Sequence, residues 1–252
     1  MGKFFNVEIN PTIAASLQAT QFDSGDLIYD WTAFDVPKGA NRLLGVTTVV
    51  RGHNGARQEF AHNMYFAKSK TDGTAPTAMG TVNGSLDANI GSYANLLIGQ
   101  AHIHTNDYID HHDYLATSST AFPTTGEGMT TVLQGEPNSG TNVGYDKLYI
   151  AGSSSTSSLP DFTTDVYTTG AVAIEQKTVG SLDDGSGSTA GITNKFAVGD
   201  VIHNSDDELV GTIASVDSNN AFTTVDDVSV AQVNNDRLFV LSPIKIILHF
   251  EI

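Results

Sequence analysis

Cysteine is absent from all 252 residues, which excludes disulfides, thiolate zinc sites and cysteine nucleophiles together. Basic residues are scarce: 12 Lys and Arg stand against 28 Asp and Glu, for a formal net charge of -16. A field of that sign repels phosphates, so neither nucleic acid nor an anionic membrane is expected as a partner. No apolar run approaches the ~20 residues that a membrane helix needs. The start, Met1-Gly2-Lys3-Phe4-Phe5-Asn6-Val7-Glu8-Ile9, lacks the apolar stretch of a signal peptide, and synthesis in a cytoplasm is the expectation. Long amphipathic helices are missing as well. Residues 61–71 have the composition of a short helix, but Phe60, Met64 and Phe66 do not sustain a 3.6-residue period.

What is present is the material of an all-β protein. Hydrophobic residues make up 40% of the chain and Gly accounts for 24 positions. A chain this long buries roughly 28,000 Å² on folding, enough for one large domain or a domain with an insertion. Short β-branched and aromatic segments recur between Gly, Asn, Asp and Pro, the pattern of a sandwich or barrel. Residues 42–51 lead through Gly52-His53-Asn54-Gly55 to residues 58–68, and Asn-Gly predicts a type I′ hairpin there. Residues 26–36 place Leu27, Tyr29, Trp31, Ala33 and Phe34 near alternation before Pro37. Further strands are expected at 96–103, 147–151, 165–174 and 244–252. The last alternates Ile246, Leu248 and Phe250 with Lys245, Ile247, His249 and Glu251. Both chain ends read as strands, consistent with their pairing in one sheet.

Residues 71–89 and 117–142 are loop-like and long enough to suggest functional loops or exposed decoration. Residues 153–158 (SSSTSS) and 181–191 (SLDDGSGSTAG) read as connectors. Beyond the second, short strands at 196–202, 209–218, 221–225 and 237–241 are joined by polar turns, predicting a small SH3-like β-barrel. The expected organisation is one β-sandwich of residues 1–191 and 243–252, with a barrel of residues 192–242 inserted before the last strand.

Three groups of residues resemble those of a known family. They are Phe34-Asp35-Val36-Pro37-Lys38-Gly39-Ala40-Asn41-Arg42-Leu43-Leu44, the Asn54-Gly55 segment with Phe66-Ala67-Lys68-Ser69, and Val198-Gly199-Asp200-Val201-Ile202 with the run from Gly211 to Ser218. They are similar to virion structural proteins of tailed bacteriophages, particularly marine ones, and the resemblance extends over most of the chain outside residues 72–142. It carries no catalytic signature. It implies a head decoration (cement) protein or another virion component, with a jelly-roll-like sandwich and symmetric self-association. The implied partner is the major capsid protein of the head, the implied place the capsid surface, and no catalytic residue or cofactor is expected.

Charge is unevenly distributed. Residues 1–70 hold 7 basic and 6 acidic side chains, whereas residues 71–252 hold 5 and 22. No Lys or Arg occurs from Thr71 through Asp146. A chain polarised this way can dock its less acidic part and present the rest to water, with Lys38, Arg42, Arg51 and Arg57 as the candidate partner contacts. Acidic surface also serves solubility alone.

One constellation has the residue types of a site: His102-Ile103-His104 followed by Asp107, Asp110, His111, His112 and Asp113. On a strand His102 and His104 share a face and could both ligate zinc, iron or nickel. The His-x-His brings the cupins to mind, but Tyr108 and Ile109 stand where a cupin carboxylate would be. The alternative is a polar strand end with an exposed loop. Carboxylate turns at Asp183-Asp184-Gly185 and Asp206-Asp207-Glu208 lack the spaced ligands of a calcium loop. Trp31 with Tyr29 and Phe34 suits either a sugar-stacking platform or the core. The leading expectation is a non-enzymatic capsid decoration protein; a receptor-binding or fibre-tip module for host glycans is the alternative, and a metal-dependent jelly-roll enzyme using His102 and His104 the third.

Overall fold

The computed structural model describes residues 3–37, 39–52, 56–70, 72–87, 91, 93–112, 114–121, 132–135, 147–155 and 159–252. Nine of its strands precede the inserted unit: β1 (Phe4–Ile9), β2 (Leu27–Asp35), β3 (Gly39–Arg51), β4 (His62–Lys68), β5 (Leu97–Ile103), β6 (Tyr108–His112), β7 (Leu115–Ala121), β8 (Val132–Gly135) and β9 (Lys147–Ser154). Seven belong to that unit: β10 (Tyr167–Thr168), β11 (Thr178–Val179), β12 (Leu182–Asp183), β13 (Val201–Asn204), β14 (Leu209–Ser218), β15 (Ala221–Thr224) and β16 (Leu238–Val240). The chain then returns as β17 (Ile244–Glu251). Among the described residues the α-helical content is one turn, α1 (Ala15–Gln18), and no helix is long and apolar enough to cross a membrane.

Two antiparallel sheets face each other. The first runs β1-β17-β3-β7-β6, with β8 on the start of β3; the second runs β2-β9-β4-β5. With β6 and β8 set aside as extensions, eight principal strands remain. Numbered in chain order, they form sheets 1-8-3-6 and 2-7-4-5, the strand order of a jelly roll built from two Greek keys. The alternation in β17 explains its central place. Ile244, Ile246, Leu248 and Phe250 are buried, and their ladder pairs with β1 on one side and β3 on the other. First and last strands therefore do pair.

The predicted Asn54-Gly55 hairpin does not form: β3 pairs with β17, β7 and β8, whereas β4 lies in the other sheet between β9 and β5. Both flanks of β3 are taken by strands distant in sequence, in a register that buries its Leu43, Val46 and Val50 against the second sheet, and that burial outweighs a local turn preference. Asn54 and Gly55 themselves lie outside the described residues. Residues 61–71 hold β4 rather than a helix, residues 117–121 continue β7, and the expected strand at 165–174 shrinks to β10.

The interior between the sheets is filled by Phe34, Phe66, Met64, Ile150, Leu148 and Ile103 from the second sheet, against Leu43, Val46, Val50 and the inward row of β17. In β2 the register shifts between Leu27 and Tyr29 and again between Tyr29 and Thr32. These bulges reverse the side-chain phase, so that Tyr29 and Phe34 both face the core while Trp31 faces away. Tyr29 lies over Gly152, where a Cβ would sit 2.3 Å from the Tyr29 Cζ.

The inserted unit has its own core of Val166, Val172, Val179, Leu182, Ala190, Ile192, Phe196, Ile202, Val210, Ile213, Phe222, Val228 and Leu238. Its main sheet runs β11-β15-β14-β13-β16. Phe162 belongs to the sandwich core and Val166 to this second one, so the unit starts near residue 165 rather than 192. Residues 165–191 contain little regular strand, but five of their apolar side chains, Val166, Val172, Val179, Leu182 and Ala190, belong to the second core.

Gly152→Ala is expected to lower the free energy of unfolding by roughly 1–3 kcal/mol, the usual cost of overpacking a filled core, measured by urea denaturation. Gly180→Ala, whose added methyl meets nothing nearer than 3.9 Å, should change it by less than about 0.5 kcal/mol.

Candidate functional site

His102 lies on the outer side of β5 and His104 just beyond its end, and their rings meet edge to face with centroids 4.2 Å apart. Each ring is already engaged. Asn63 Oδ1 takes the Nδ1 proton of His102 at 2.7 Å across the β4–β5 ladder. The His104 side chain accepts the backbone N–H of Asp107, whose carboxylate accepts the backbone N–H of His104 at 2.9 Å, a capping box that closes the 3-10 turn Thr105–Asp107. Burial, then His104, pushes the His102 imidazole below its ordinary range. His111 Nε2 bonds Thr117 Oγ1 at 2.7 Å. The side chains of Asp110, His112 and Asp113 lie outside the described residues. Among the described residues no three His, Asp or Glu converge as metal ligands; the histidines shape the β5–β6 connection.

The candidate basic contacts are not brought together as one patch. Lys38 lies outside the described residues. Arg42 and Arg51 sit on the outer face of the first sheet at opposite ends of β3, about 30 Å apart at ~3.3 Å per residue. Arg42 is the more exposed and makes a long contact of 3.5 Å with Glu251. Arg57 pairs with Glu59 at 2.7 Å. Arg51 is directed inside the molecule, to Asp200 of the inserted unit at 2.8 Å.

That last pair anchors the junction between the two cores. Asp200 also accepts the Ala197 backbone N–H at 2.7 Å. Burial raises its carboxyl above the ordinary range despite the opposing pull of Arg51. The pair closes one end of a cleft of about 480 Å³ whose floor is the outer face of β3 and β17 and whose roof is the turn at residues 198–201. Lys245 and Glu8, paired at 3.1 Å, stand at the other end. A second anchor is helical. Asp207 of the β13–β14 turn accepts both the backbone N–H and the hydroxyl of Ser16, while Gln18 Nε2 donates to the carbonyls of Ile13 and Val240. Sequence inspection missed both anchors, because Arg51 and Asp200 are 149 residues apart and Ser16 and Asp207 are 191 apart.

The outer faces of the sheets are internally braced. On the first, Asn6, His249, Thr47 and Ser119 form a hydrogen-bonded row at 2.9, 2.9 and 3.1 Å. On the second, Trp31 is covered rather than presented. Its Nε1 donates to the Thr77 carbonyl at 2.9 Å and its ring lies 6.5 Å from Tyr93, in a small cluster with Leu27, Met79, Val82 and Leu86. Part of the stretch expected as loop, residues 77–86, is thus strapped onto the second sheet. Asn83 holds it there through the carbonyls of Leu17 and Thr20. In the inserted unit the Asp184 carboxylate is spent on Ser186 and Ser188, which hold it below its ordinary range.

No protein-family model matches the chain, and no curated protein matches it. Among solved structures it is similar, at 10% identity and a TM-score of 0.19, to that of infectious bursal disease virus Gx strain, over 63% of this chain and 38% of that one. The infectious bursal disease virus VP2 subviral particle gives 10% identity and 0.19 over 100% of this chain and 41% of that one. The Israel acute paralysis virus pentamer gives 16% identity and 0.14 over 62% and 87%. The chain spans about two fifths of the length of the first two. Scores of this size do not establish a shared fold, and the jelly-roll assignment rests on strand order alone.

Replacing either partner of the Arg51–Asp200 pair should have unequal effects. Arg51→Met strands a carboxylate whose side chain is 11% exposed, whereas Asp200→Asn leaves the guanidinium, 28% exposed, nearer to water. The first is expected to cost about 2–3 kcal/mol and the second about 1 kcal/mol, with a coupling of ~1 kcal/mol in a double-mutant cycle read by denaturation.

Proposed function

We propose that the chain is a non-enzymatic structural protein of a virion, of the head-decoration type, which binds the outside of an assembled shell. The observation that carries this reading is the placing of the jelly roll's features. The interior between its sheets is packed with apolar side chains, and its elaborations, the inserted unit and the strap over Trp31, are built on the outside. Jelly rolls serve as capsid, lectin and cupin domains; a ligand-binding member needs an open interior or a presented aromatic platform. A filled sandwich with a braced flat face suits contact with another protein surface.

The outer face of the first sheet is the preferred contact. Apart from Arg51, which Asp200 takes up, the described charged side chains of its strands are Arg42 and Lys245 against Glu8 and Glu251, neutral in a chain of net charge -16, so an acidic shell surface meets little repulsion there. The inserted unit holds 12 of the acidic residues and 3 basic ones between residues 165 and 241; its turn at residues 198–201 overhangs the Arg51 end of this face, and the contact is made on the Arg42 side of it. Binding works by multivalent bracing. Each contact across neighbouring shell subunits adds modest free energy, and a symmetric homo-oligomer multiplies it through effective concentration.

Co-sedimentation of the purified protein with assembled shells of its virus, and with unassembled shell subunits, tests the reading. Preferential binding to shells, weakened at least tenfold by Arg42→Glu with Lys245→Glu, is the expected result. Equal binding to both forms, or gold labelling of tails instead of heads, overturns it.

A further inference from the structure

His62 is a buried base for which the described residues provide no charge partner. It sits at the start of β4, fully enclosed, with neither ring nitrogen in hydrogen-bond geometry to a partner among the described residues. Its ladder neighbours are Ile103 on β5 and Ser154 on β9. The one group that favours a proton on the ring, the Phe60 carbonyl, already accepts the Tyr108 hydroxyl at 3.1 Å.

The surroundings make this position a junction. The His62 ring packs on Phe60 with centroids 5.2 Å apart; Phe60 meets Phe162 edge-on at 5.9 Å, and Phe162 meets Phe22 at 5.7 Å. Phe162 ends the linker that leaves β9 for the inserted unit. Backbone bonds hold that linker on either side of the aromatic chain, from Ser155 N–H to the Ala61 carbonyl and from Phe22 N–H to the Pro160 carbonyl, both at 2.8 Å. His62 thus supports the row of rings that clamps the linker onto the sandwich.

We propose that His62 is an acid-sensitive latch: its protonation parts the Phe60–Phe162–Phe22 clamp and frees the linker to the inserted unit. The titratable groups on the elements packed around it do not offset a charge there. Tyr108 and Tyr29 are neutral phenols, and His102 on the opposite face of the same sheet is itself a base. The carboxylates of the adjoining segments are engaged elsewhere, Asp26 with the Asp23 N–H, Glu59 with Arg57 and Asp161 with the Thr163 N–H. An imidazolium in this setting is buried without a counter-ion, which costs far more than exposing it to water.

The direction follows from linkage. Burial first, then His102, pushes the enclosed imidazole down to about 3, whereas an exposed histidine titrates near ~6.5. The released state therefore takes up a proton that the closed state refuses. The closed state keeps its full advantage above about pH 6.5 and loses about tenfold in population ratio per pH unit between there and about pH 3.

Amide hydrogen exchange read by mass spectrometry, corrected for intrinsic rates, tests the latch on the whole chain. In the wild type the opening constant of residues 159–165 should rise about a hundredfold from about pH 7.5 to about pH 4.5, while the core around Phe222 stays protected. In His62→Leu it should stay nearly flat. Equal pH slopes in the two proteins, or simultaneous opening of both cores, overturns the proposal. Should His62→Leu not fold, NMR titration of the wild-type His62 ring decides. A ring that stays neutral in the closed state to about pH 5 supports the latch, and one that titrates near 6.5 while the clamp is intact overturns it.

Discussion

The placing of β17 is the constraint on which the rest of the molecule depends. Its alternating apolar row is buried between β1 and β3, and until it takes that place β1 has no ladder partner and β3 lacks one on that flank. Because β9 lies in one sheet and β17 in the other, the chain must cross the sandwich between residues 154 and 244. The inserted unit is what occupies that crossing. Its two anchors, Arg51–Asp200 and Ser16–Asp207, keep it against the sandwich at the end where the crossing is made.

Polar groups have a consistent role around this frame. On the exposed sheet face, at the junction and in the tight turns, they bind other parts of the same chain: the row through His249, the capping box of His104, the Asx turns of Asp184. Hydrogen bonds of this kind contribute about 0.5–1.5 kcal/mol each. Their larger effect is to fix register and attachment, since a side chain already bonded on both sides leaves no room for a strand to slip. A surface prepared in this way is rigid before it meets a partner, which reduces the ordering cost of association.

Much of the fold was legible where the determining signal is local. Four strands of the inserted unit were found within a few residues, because Gly-Asp and Asn-Asn turns bracket β-branched runs, and the alternation of β17 identified its buried face. The hairpin at Asn54 was misread because a turn signal says nothing about which strands will cover β3. The small residues Thr117-Ser118-Ser119-Thr120-Ala121 of β7 read as loop although the ladder with β3 makes them strand. Tyr29 and Phe34 were placed near alternation, yet the bulges that turn both inward were not visible, since they depend on Gly152 facing Tyr29. The site followed the same rule. His102 and His104 do share a face, but the use of each ring is set by Asn63 and Asp107, and the joining of Arg51 to Asp200 has no trace in local sequence.

The second core is drawn from one unbroken stretch, Val166 through Leu238, whereas the first unites residues as far apart as Ile9 and Phe250. During synthesis the inserted unit has everything it needs well before β17 exists, while the sandwich still lacks a central strand. The unit then acts as an internal staple, shortening a gap of some ninety residues to the distance between two neighbouring chain ends and lowering the entropy lost when the last strand closes the sheet.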